Sequence, residues 1–508
     1  MTVIDATRPA TSTATGVVAR RCAAVGLAIA LVSLGMVLAT HPIGKLVAIV
    51  ALISATIVVS VERMIIVLLV IYLAVEDYAA GPFNGLWTSP VDEVGDFFFA
   101  TISTSVDFVP IPMAPMMICP LILVTRSVLN RTGDGLQHRT DLLATPRVFS
   151  TALLLAGTSI GLAVLYGAGT GGDPQQVYYQ IFGLVIALSF AATVARVGTP
   201  KLAASVWRVV LIIGIYRAAL ALFVYFAHAR DLDETPLYLT THADSIIWTL
   251  GIVYLASNLL ERADRVSKVM AIVLGPLLCF AVVVNNRRLA WVMVAAAVAY
   301  VVWTLIGVGR RRVSDIAVYV APLFGTYLAA GWVSPPSKYF APVQALKSVV
   351  SGDDRSSQTR NIEDFNLLFT ARTTFPLPSG FGKPYVELVV ADDISAFFEQ
   401  YQYLPHNTIL GLMFMLGPVG LALVIVPLAL GVHAAHRVRC VARESHIRTQ
   451  TAMVLTTWVS FLAFAWGDLG FFTPQPTALV GVAAGLGVGL NNWYRQHGER
   501  AANLERYA

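Results

Sequence analysis

Residues 407–431 read NTILGLMFMLGPVGLALVIVPLALG, a stretch without a single charged side chain. About 18 or more consecutive apolar residues are typical of an α-helix that crosses the hydrocarbon core of a bilayer. A soluble protein would have to bury every face of such a helix, whereas a membrane accepts it on all sides. This stretch therefore predicts a membrane-spanning helix.

The composition of the whole chain agrees with this segment. Of its 508 residues, 56% are hydrophobic and 13% are charged, and the mean hydropathy is +0.70. An average soluble domain carries about 25% charged residues, and a soluble chain of this length would form about two to four domains with polar surfaces. The charged residues are too few to cover such surfaces. The composition excludes a soluble protein and predicts an all-α, polytopic membrane helix bundle.

Apolar segments of spanning length, or slightly less, recur along the chain. They are 22–39, 46–61, 64–75, 113–125, 149–166, 177–195, 205–226, 244–260, 269–284, 289–306, 314–331, 407–431, 450–466 and 476–490. We therefore expect about 14 transmembrane helices. Because no repeat or low-complexity region divides them, we expect a single transmembrane domain over residues 1–508.

The distribution of Lys and Arg predicts the topology. Membrane proteins keep an excess of these residues in their cytoplasmic loops. If the N-terminus is cytoplasmic, most of the 35 Lys and Arg fall on that side of the membrane. We therefore expect a multi-pass protein of the plasma (inner) membrane with both termini cytoplasmic. One long extracytoplasmic loop, 332–405, would then carry short helices at 339–350 and 362–369.

The sequence has arginines at two places where the predicted topology disfavours a charged residue. The sequence NNRR at 285–288 forms a tight outer turn, where arginine is unfavourable. Arg287 and Arg288 either extend their aliphatic stems along the helix ends or form an anion site, since guanidinium groups bind phosphate oxygens in pairs. Arg217 lies mid-helix among apolar neighbours, so it either pairs with an unidentified carboxylate or binds a ligand.

The long outer loop supplies a third arginine and a glycine-rich turn. Arg360 belongs to SSQTRNIED at 356–364, where a helix would bring it beside Glu363 or Asp364 as an ordinary salt bridge. The alternative is a ligand-binding cation. Gly380 and Gly382 follow in PLPSGFG at 376–382, a turn whose glycines allow close backbone approach.

A histidine stands immediately before the segment at 407–431. His406 at the membrane edge can titrate near neutral pH and act as a general base. The simpler interpretation is a helix flank in which Asn407 caps the first turn.

Other site classes have weaker support. No Lys/Arg patch with interleaved aromatic residues indicates nucleic acid. The pairs Glu76–Asp77 and Asp231–Asp233 match the carboxylates of metal-dependent glycosyltransferases, but so short a pattern is frequent by chance. The four cysteines lie too far apart in sequence to support a disulfide framework or a CxxC metal site. They are Cys22, Cys119, Cys279 and Cys440.

Taken in order, these residues resemble the O-antigen ligase and polymerase superfamily, which are membrane glycosyltransferases. That family has an arginine in a short outer turn that opens a helix, then a long outer loop with an arginine, a Gly-x-Gly turn and Pro-His-Asn before the next helix. The resemblance covers roughly residues 270–431. It departs from the usual pattern at Arg287 and Leu289, where the family has Ser and Gly, so either Arg287 or Arg288 could take the family's role.

The resemblance implies a donor in which a glycan is carried on a polyprenyl diphosphate that enters from membrane lipid. His406 would be the catalytic residue, and inverting transfer would need neither metal nor cofactor. The residues implied to bind the diphosphate are Arg288, Arg287 and Arg360. Arg217 is a further candidate for diphosphate binding because it is a cation within the membrane. Those implied to support the site are Asn407, Gly380 and Gly382. Polysaccharide chain-length or export proteins are expected partners.

Within this superfamily the sequence favours a polymerase of lipid-linked repeat units for surface, capsular or exopolysaccharide, because many crossings and a large outer loop suit it. A ligase that transfers the glycan to another acceptor stays open. Two rivals from outside the superfamily also stay open. One is a polysaccharide or lipid-linked oligosaccharide flippase, and the other is a metal-dependent enzyme that uses a polyprenyl monophosphate donor.

Overall fold

The computed structural model describes residues 40–75, 85–133, 146–230, 238–262, 264–285, 287–306, 325–335, 355–375, 377–390 and 398–507, with a few isolated positions between these ranges. The fold is all-helical, and no strand occurs within these ranges.

Fifteen α-helices are numbered here in chain order within the described ranges. They are α1 (Pro42–Val58), α2 (Val61–Ala74), α3 (Pro90–Gly95), α4 (Ile102–Ser105), α5 (Pro115–Gly133), α6 (Arg147–Gly169), α7 (Pro174–Val197), α8 (Pro200–Val224), α9 (His242–Glu261), α10 (Arg265–Asn285), α11 (Arg288–Ile306), α12 (Arg355–Thr374), α13 (Thr408–Val441), α14 (Ser445–Gly467) and α15 (Pro474–Tyr507).

Hydropathy locates these helices well but does not establish how many cross the membrane. Each predicted segment between 46 and 306, and each between 407 and 490, corresponds to one helix. Six helices in the described chain are long and apolar enough to span: α6, α7, α8, α9, α10 and α13. With 14 residues, α2 is only about 21 Å long, against a hydrocarbon core of about 30 Å. The predicted segment 22–39 and most of 314–331 lie outside the described residues.

The outward faces of the spanning helices are apolar. Leu165 on α6 is 71% exposed and Ile272 on α10 is 72% exposed. Large apolar side chains exposed along entire helices are costly in water and are the normal lining of a lipid-facing surface. The chain is therefore a membrane protein with several spanning helices.

Small residues bring the central helices into close contact. Gly481, Gly485 and Gly489 on α15 are spaced by four, so they form one stripe on that helix. A Cβ on Gly489 would lie 2.6 Å from the Gly198 Cα, and one on Gly485 would lie 2.6 Å from the Val194 Cβ. Helices in membranes commonly pack through such stripes because there is little hydrophobic driving force between them. The stripe fixes α15 against α7.

A kink in α13 receives a loop from the segment that precedes the helix. Gly417 has φ +70° and ψ 170°, which interrupts the helix. Pro418 has no N–H, so it leaves the carbonyl of Phe414 without its helical donor. The Ser379 N–H donates to that carbonyl at 2.9 Å, and the Gly380 N–H donates to Met415 O at 3.2 Å. The loop thus satisfies backbone groups that a membrane could not satisfy.

The same loop is inserted between α6 and α7. Gly380 and Gly382 have φ +81° and φ +85°, conformations that favour glycine. The Gly382 N–H donates to Gln180 Oε1 at 2.6 Å, and its carbonyl accepts from the Asp173 N–H at 2.8 Å. A Cβ on Gly380 would lie 2.6 Å from the Gly167 Cα. The predicted close approach is therefore present, and it anchors the chain between α12 and α13.

Candidate active site

His406 is held by a carboxylate from α12. Glu363 on α12 is 5% exposed. Its Oε1 accepts from the His406 N–H at 2.9 Å, and its Oε2 lies 3.1 Å from His406 Nδ1. Because an ionised carboxylate only accepts, Nδ1 carries the proton in this contact. Nε2 is therefore the nitrogen that can accept a proton from a substrate.

Opposing effects set the pKa of His406. Burial lowers it, while the hydrogen bond and charge of Glu363, together with the charge of Asp468, raise it. Arg360 lowers it slightly, and the net result is a pKa above the ordinary value of 6.5. The imidazolium form is thus stabilised, as expected for a base that must hold a proton during a reaction.

Arg360 lies on α12, three positions before Glu363. The predicted helix over 362–369 is confirmed by α12. Of the two interpretations left open for Arg360, a salt bridge with Glu363 is not formed, because Glu363 contacts His406. Arg360 makes no side-chain hydrogen bond or ion pair with any other described residue. Its Nη1 is 4.0 Å from the ideal Cβ position of Gly467, the residue before Asp468. Its guanidinium is therefore available to an anionic ligand.

Two residues that the sequence analysis did not single out complete the cluster. His242 is the first residue of α9, and Asp468 directly follows α14. His242 Nε2 lies 3.5 Å from Asp468 Oδ2. His242 Nδ1 is buried and has no hydrogen-bond partner in the described chain. Both residues lie at helix ends on the side that the topology prediction gives to the outer loops. That position is the only sequence feature that could have indicated them.

Asp468 interacts electrostatically with both parts of the cluster, His242 on one side and His406 with Arg360 on the other. It is 7% exposed. Burial raises its pKa, but the charges of His242, His406 and Arg360 lower it more, as does the hydrogen bond from the Leu469 N–H, so the net pKa is depressed. The carboxylate is therefore ionised, and both histidines and Arg360 lie within its electrostatic reach.

Of the paired arginines Arg287 and Arg288, Arg287 contacts this cluster through His242. Its Nη1 lies 3.0 Å from His242 Nε2. Nε and Nη2 donate to the Thr240 carbonyl at 3.0 Å and 2.7 Å, and the guanidinium carbon lies 4.1 Å from the centre of the Tyr238 ring. Arg288 begins α11 and is half-buried. Arg287 is thus fixed in place, with one edge directed at the site.

Arg217 lies in a buried ion pair. It is 1% exposed, and its Nε and Nη2 each donate to one oxygen of Asp244 at 2.9 Å. Its Nη1 lies 3.7 Å from Asp92 Oδ2. Asp244 follows His242 by two residues on α9. The carboxylate that the sequence left unidentified is therefore Asp244, and the structure favours the pairing interpretation of Arg217.

Asn407 and Asp364 flank the catalytic candidate. Asn407 is 3% exposed, and its Oδ1 accepts from the Leu410 N–H at 3.2 Å, which is the predicted cap of α13. Burial, with the charge of Glu363, raises the pKa of Asp364 to about 6, against the opposing effects of the Asn407 amide and Arg360. The pKa of Asp364 is therefore above the ordinary value for an aspartate.

An apolar pocket of about 320 Å³ lies along the two helices that carry the site. Leu368 and Phe375 line it from α12 and its end, and Met413 and Phe414 line it from α13. At about 1.5 Å per residue, Leu368 is roughly 12 Å along α12 from Arg360. The pocket is thus within the reach of a lipid whose charged group contacts Arg360.

The carboxylates of the metal-dependent alternative lie outside the described residues: Glu76, Asp77, Asp231 and Asp233. In the described part of the chain, no three His, Cys, Asp or Glu side chains are grouped so that they could hold a metal ion.

No family model matches the chain, and no curated protein matches it.

Proposed function

We propose that the chain is an integral-membrane glycosyltransferase that polymerises glycan repeat units from polyprenyl-diphosphate donors at the outer face of the plasma membrane. The observation that carries this proposal is the cluster in which Glu363 holds His406 at 3.1 Å, while the charges of His406 and Arg360 both lower the pKa of Asp468. The order of Arg288, Arg360 and His406 in the sequence, which resembles the O-antigen ligase and polymerase superfamily, supports it as well.

The donor would bind through its charge and its lipid tail. Arg360 has no described partner, so it can meet the diphosphate in a bidentate contact. The guanidinium edge of Arg287 adds a second permanent cation, and Arg288 at the start of α11 is the remaining candidate. The apolar pocket lined by Leu368 and Phe414 suits the first isoprene units. Arg217 is left out because its guanidinium is engaged by Asp244.

Transfer would proceed in one displacement. His406 Nε2 takes the proton of the acceptor hydroxyl as its oxygen forms a bond to the anomeric carbon of the donor sugar. The bond from that carbon to the diphosphate oxygen breaks, and its electron pair leaves with the polyprenyl diphosphate. Glu363 stabilises the imidazolium, and Arg360 stabilises the negative charge that grows on the leaving group. A single displacement inverts the anomeric centre and requires no metal.

A ligase would use the same donor site with a different acceptor, so the product separates the two activities. The full chain is reconstituted in vesicles with an undecaprenyl-diphosphate-linked oligosaccharide. Long glycan that stays attached to polyprenyl diphosphate, with synthesis unchanged by EDTA, is the expected result. Glycan moved without bond formation would instead indicate a flippase, and loss of synthesis with EDTA would indicate the metal-dependent alternative.

The same assay tests the anion site. Replacement Arg360→Gln removes the permanent cation that faces the leaving group, and we expect a loss of about 10²-fold in kcat/KM. Arg443→Gln is the matched control, because Arg443 is exposed in the loop between α13 and α14. Equal rates for the two variants would remove Arg360 from the site.

A further inference from the structure

A second pocket, which is polar and has a volume of about 330 Å³, lies at the opposite end of the helix bundle from the cluster of His242, His406 and Asp468. His242 is the first residue of α9, and Arg262, which lines this pocket, directly follows its last residue. The 20 residues of α9 separate these ends by about 30 Å. The pocket is therefore independent of the proposed transfer site.

Three helices each contribute one face to the pocket. The lining residues are Lys201, Ala204 and Arg208 on α8, Tyr254 and Asn258 on α9 with Arg262 beyond it, and His446, Thr449 and Gln450 on α14, together with Pro200. The spacings of three, four and seven place each set on one side of its helix. The N-termini of α8 and α14 both border the pocket, so their helix dipoles add positive potential.

This pocket carries an excess of positive charge, although the charge of Arg262 also acts on Asp264, two residues further along the chain. Lys201, Arg208 and Arg262 make no side-chain hydrogen bond or ion pair with another described residue, and no acidic residue lines the pocket. The nearby Glu261 is already occupied, because Arg439 and Arg448 both contact it at 3.2 Å or less. Three permanent cations around one cavity favour an anion of more than one charge or a phosphate diester.

A buried amide adds a second requirement for the ligand. Gln450 is 5% exposed, and its Nε2 donates to the Pro200 carbonyl at 2.8 Å. Its Oε1 is buried and has no hydrogen-bond partner in the described chain. A buried acceptor without a donor is costly. An ionised phosphate offers no donor, so the ligand needs a hydroxyl as well as a phosphate.

The geometry points to a binding site for a phosphate ester that also carries a hydroxyl, the chemistry shared by a phosphatidylglycerol headgroup and by free glycerol phosphate. Lys201, Arg208 and Arg262 contact the phosphate oxygens, and the hydroxyl donates to Gln450 Oε1. A basic pocket between spanning helices, on the side where Lys and Arg accumulate, is a typical place for an anionic headgroup.

Native mass spectrometry of the full chain in detergent tests this site. Phosphatidylglycerol is compared with phosphatidylcholine and with phosphatidylmethanol, which has the same charge as phosphatidylglycerol but no hydroxyl. We expect phosphatidylglycerol to bind most tightly. Equal binding of phosphatidylcholine would overturn the site, and equal binding of phosphatidylmethanol would overturn the role of Gln450. Displacement of phosphatidylglycerol by equimolar glycerol 3-phosphate would assign the site to the soluble ester, and its failure would assign it to the lipid.

The double variant Arg208→Gln/Arg262→Gln locates the binding. At about fivefold for each cation removed, we expect phosphatidylglycerol to bind roughly 25-fold more weakly. Arg265→Gln/Lys268→Gln is the matched control, because it removes two exposed cations at the start of α10 that do not line the pocket. We expect the control to bind within about twofold of the unaltered chain. An equal loss in both double variants would show a general surface-charge effect and contradict the site.

Discussion

Glu363 determines the part that His406 can take in the proposed transfer. Its two oxygens hold both the backbone N–H and the Nδ1 of His406, at 2.9 Å and 3.1 Å. This contact leaves Nε2 as the nitrogen that can accept a proton in the proposed transfer, and it raises the pKa of the ring against the effect of burial. The basicity of His406 therefore depends on Glu363, because a lone histidine buried to the same extent would be a weaker base.

The pH dependence of transfer follows from this pair. A base must be neutral to act, so activity falls as the pH decreases through the pKa of His406, which lies above its ordinary value of 6.5. Glu363→Gln removes the charge that raises this pKa, while burial still lowers it. We expect the acidic limb of the kcat/KM profile to move to lower pH, and the maximal rate to fall by about 10²-fold.

Glu399→Gln is the control for this measurement, because Glu399 is an exposed carboxylate in the same loop as His406. Its profile should match that of the unaltered chain. An acidic limb that stays in place in Glu363→Gln would mean that neither His406 nor Asp364 governs the profile, because the charge of Glu363 raises the pKa of both groups.

At the scale of the elements, the loop 377–390 connects the site to the membrane core. It supplies donors to the carbonyls that the α13 kink leaves free, and Gly382 bonds to α7 through Gln180 and to the Asp173 N–H at its start. These contacts fix the segment between α12 and α13, and so fix Glu363 relative to His406. Because the site residues lie on different elements, the geometry depends on this loop as much as on the helices.

Two glycines with the same backbone conformation test the close approach of this loop. Gly382 has φ +85° and Gly171 has φ +87°. A Cβ on Gly382 would lie 2.8 Å from Asp173 O, whereas nothing lies within 4 Å of one on Gly171. Gly171→Ala should therefore cost only the strain of the left-handed conformation, about 1–2 kcal/mol, and Gly382→Ala should cost about 1–3 kcal/mol more. Thermal unfolding in detergent measures both, and equal destabilisation would contradict the tight contact.

For the whole molecule, sequence patterns located the elements better than the contacts between them. Hydropathy is a local property, so apolar segments such as 177–195 and 407–431 coincide with helices. His406 and Arg360 could be identified because each interrupts a local pattern. The pairing of His242 with Asp468 could not, since it joins helix ends that are distant in sequence. For the same reason, the sequence left open whether Arg360 pairs with Glu363 or Asp364 or binds a ligand. In the structure Glu363 contacts His406, which arrives from another element.

The molecule has polar sites at both ends of an apolar bundle. The end that bears His242 and Asp468 combines ionised carboxylates, histidines and Arg360, which suits chemistry on a charged donor. The other end, around Arg208 and Arg262, has an excess of positive charge and suits binding alone. The positive-inside rule predicts that this second end faces the cytoplasm, which would agree with the proposed transfer at the outer face.

The central claim is that His406 is the base for glycan transfer, and one rate comparison tests it most directly. The full chain, His406→Ala and His433→Ala are each reconstituted in vesicles with an undecaprenyl-diphosphate-linked oligosaccharide, and the rate of polymer formation is measured. His433 is an exposed histidine on α13 and serves as the control. We predict a loss of about 10²- to 10⁴-fold for His406→Ala and a rate within about twofold of the unaltered chain for His433→Ala. Polymer formed by His406→Ala at the rate of the control would contradict the account.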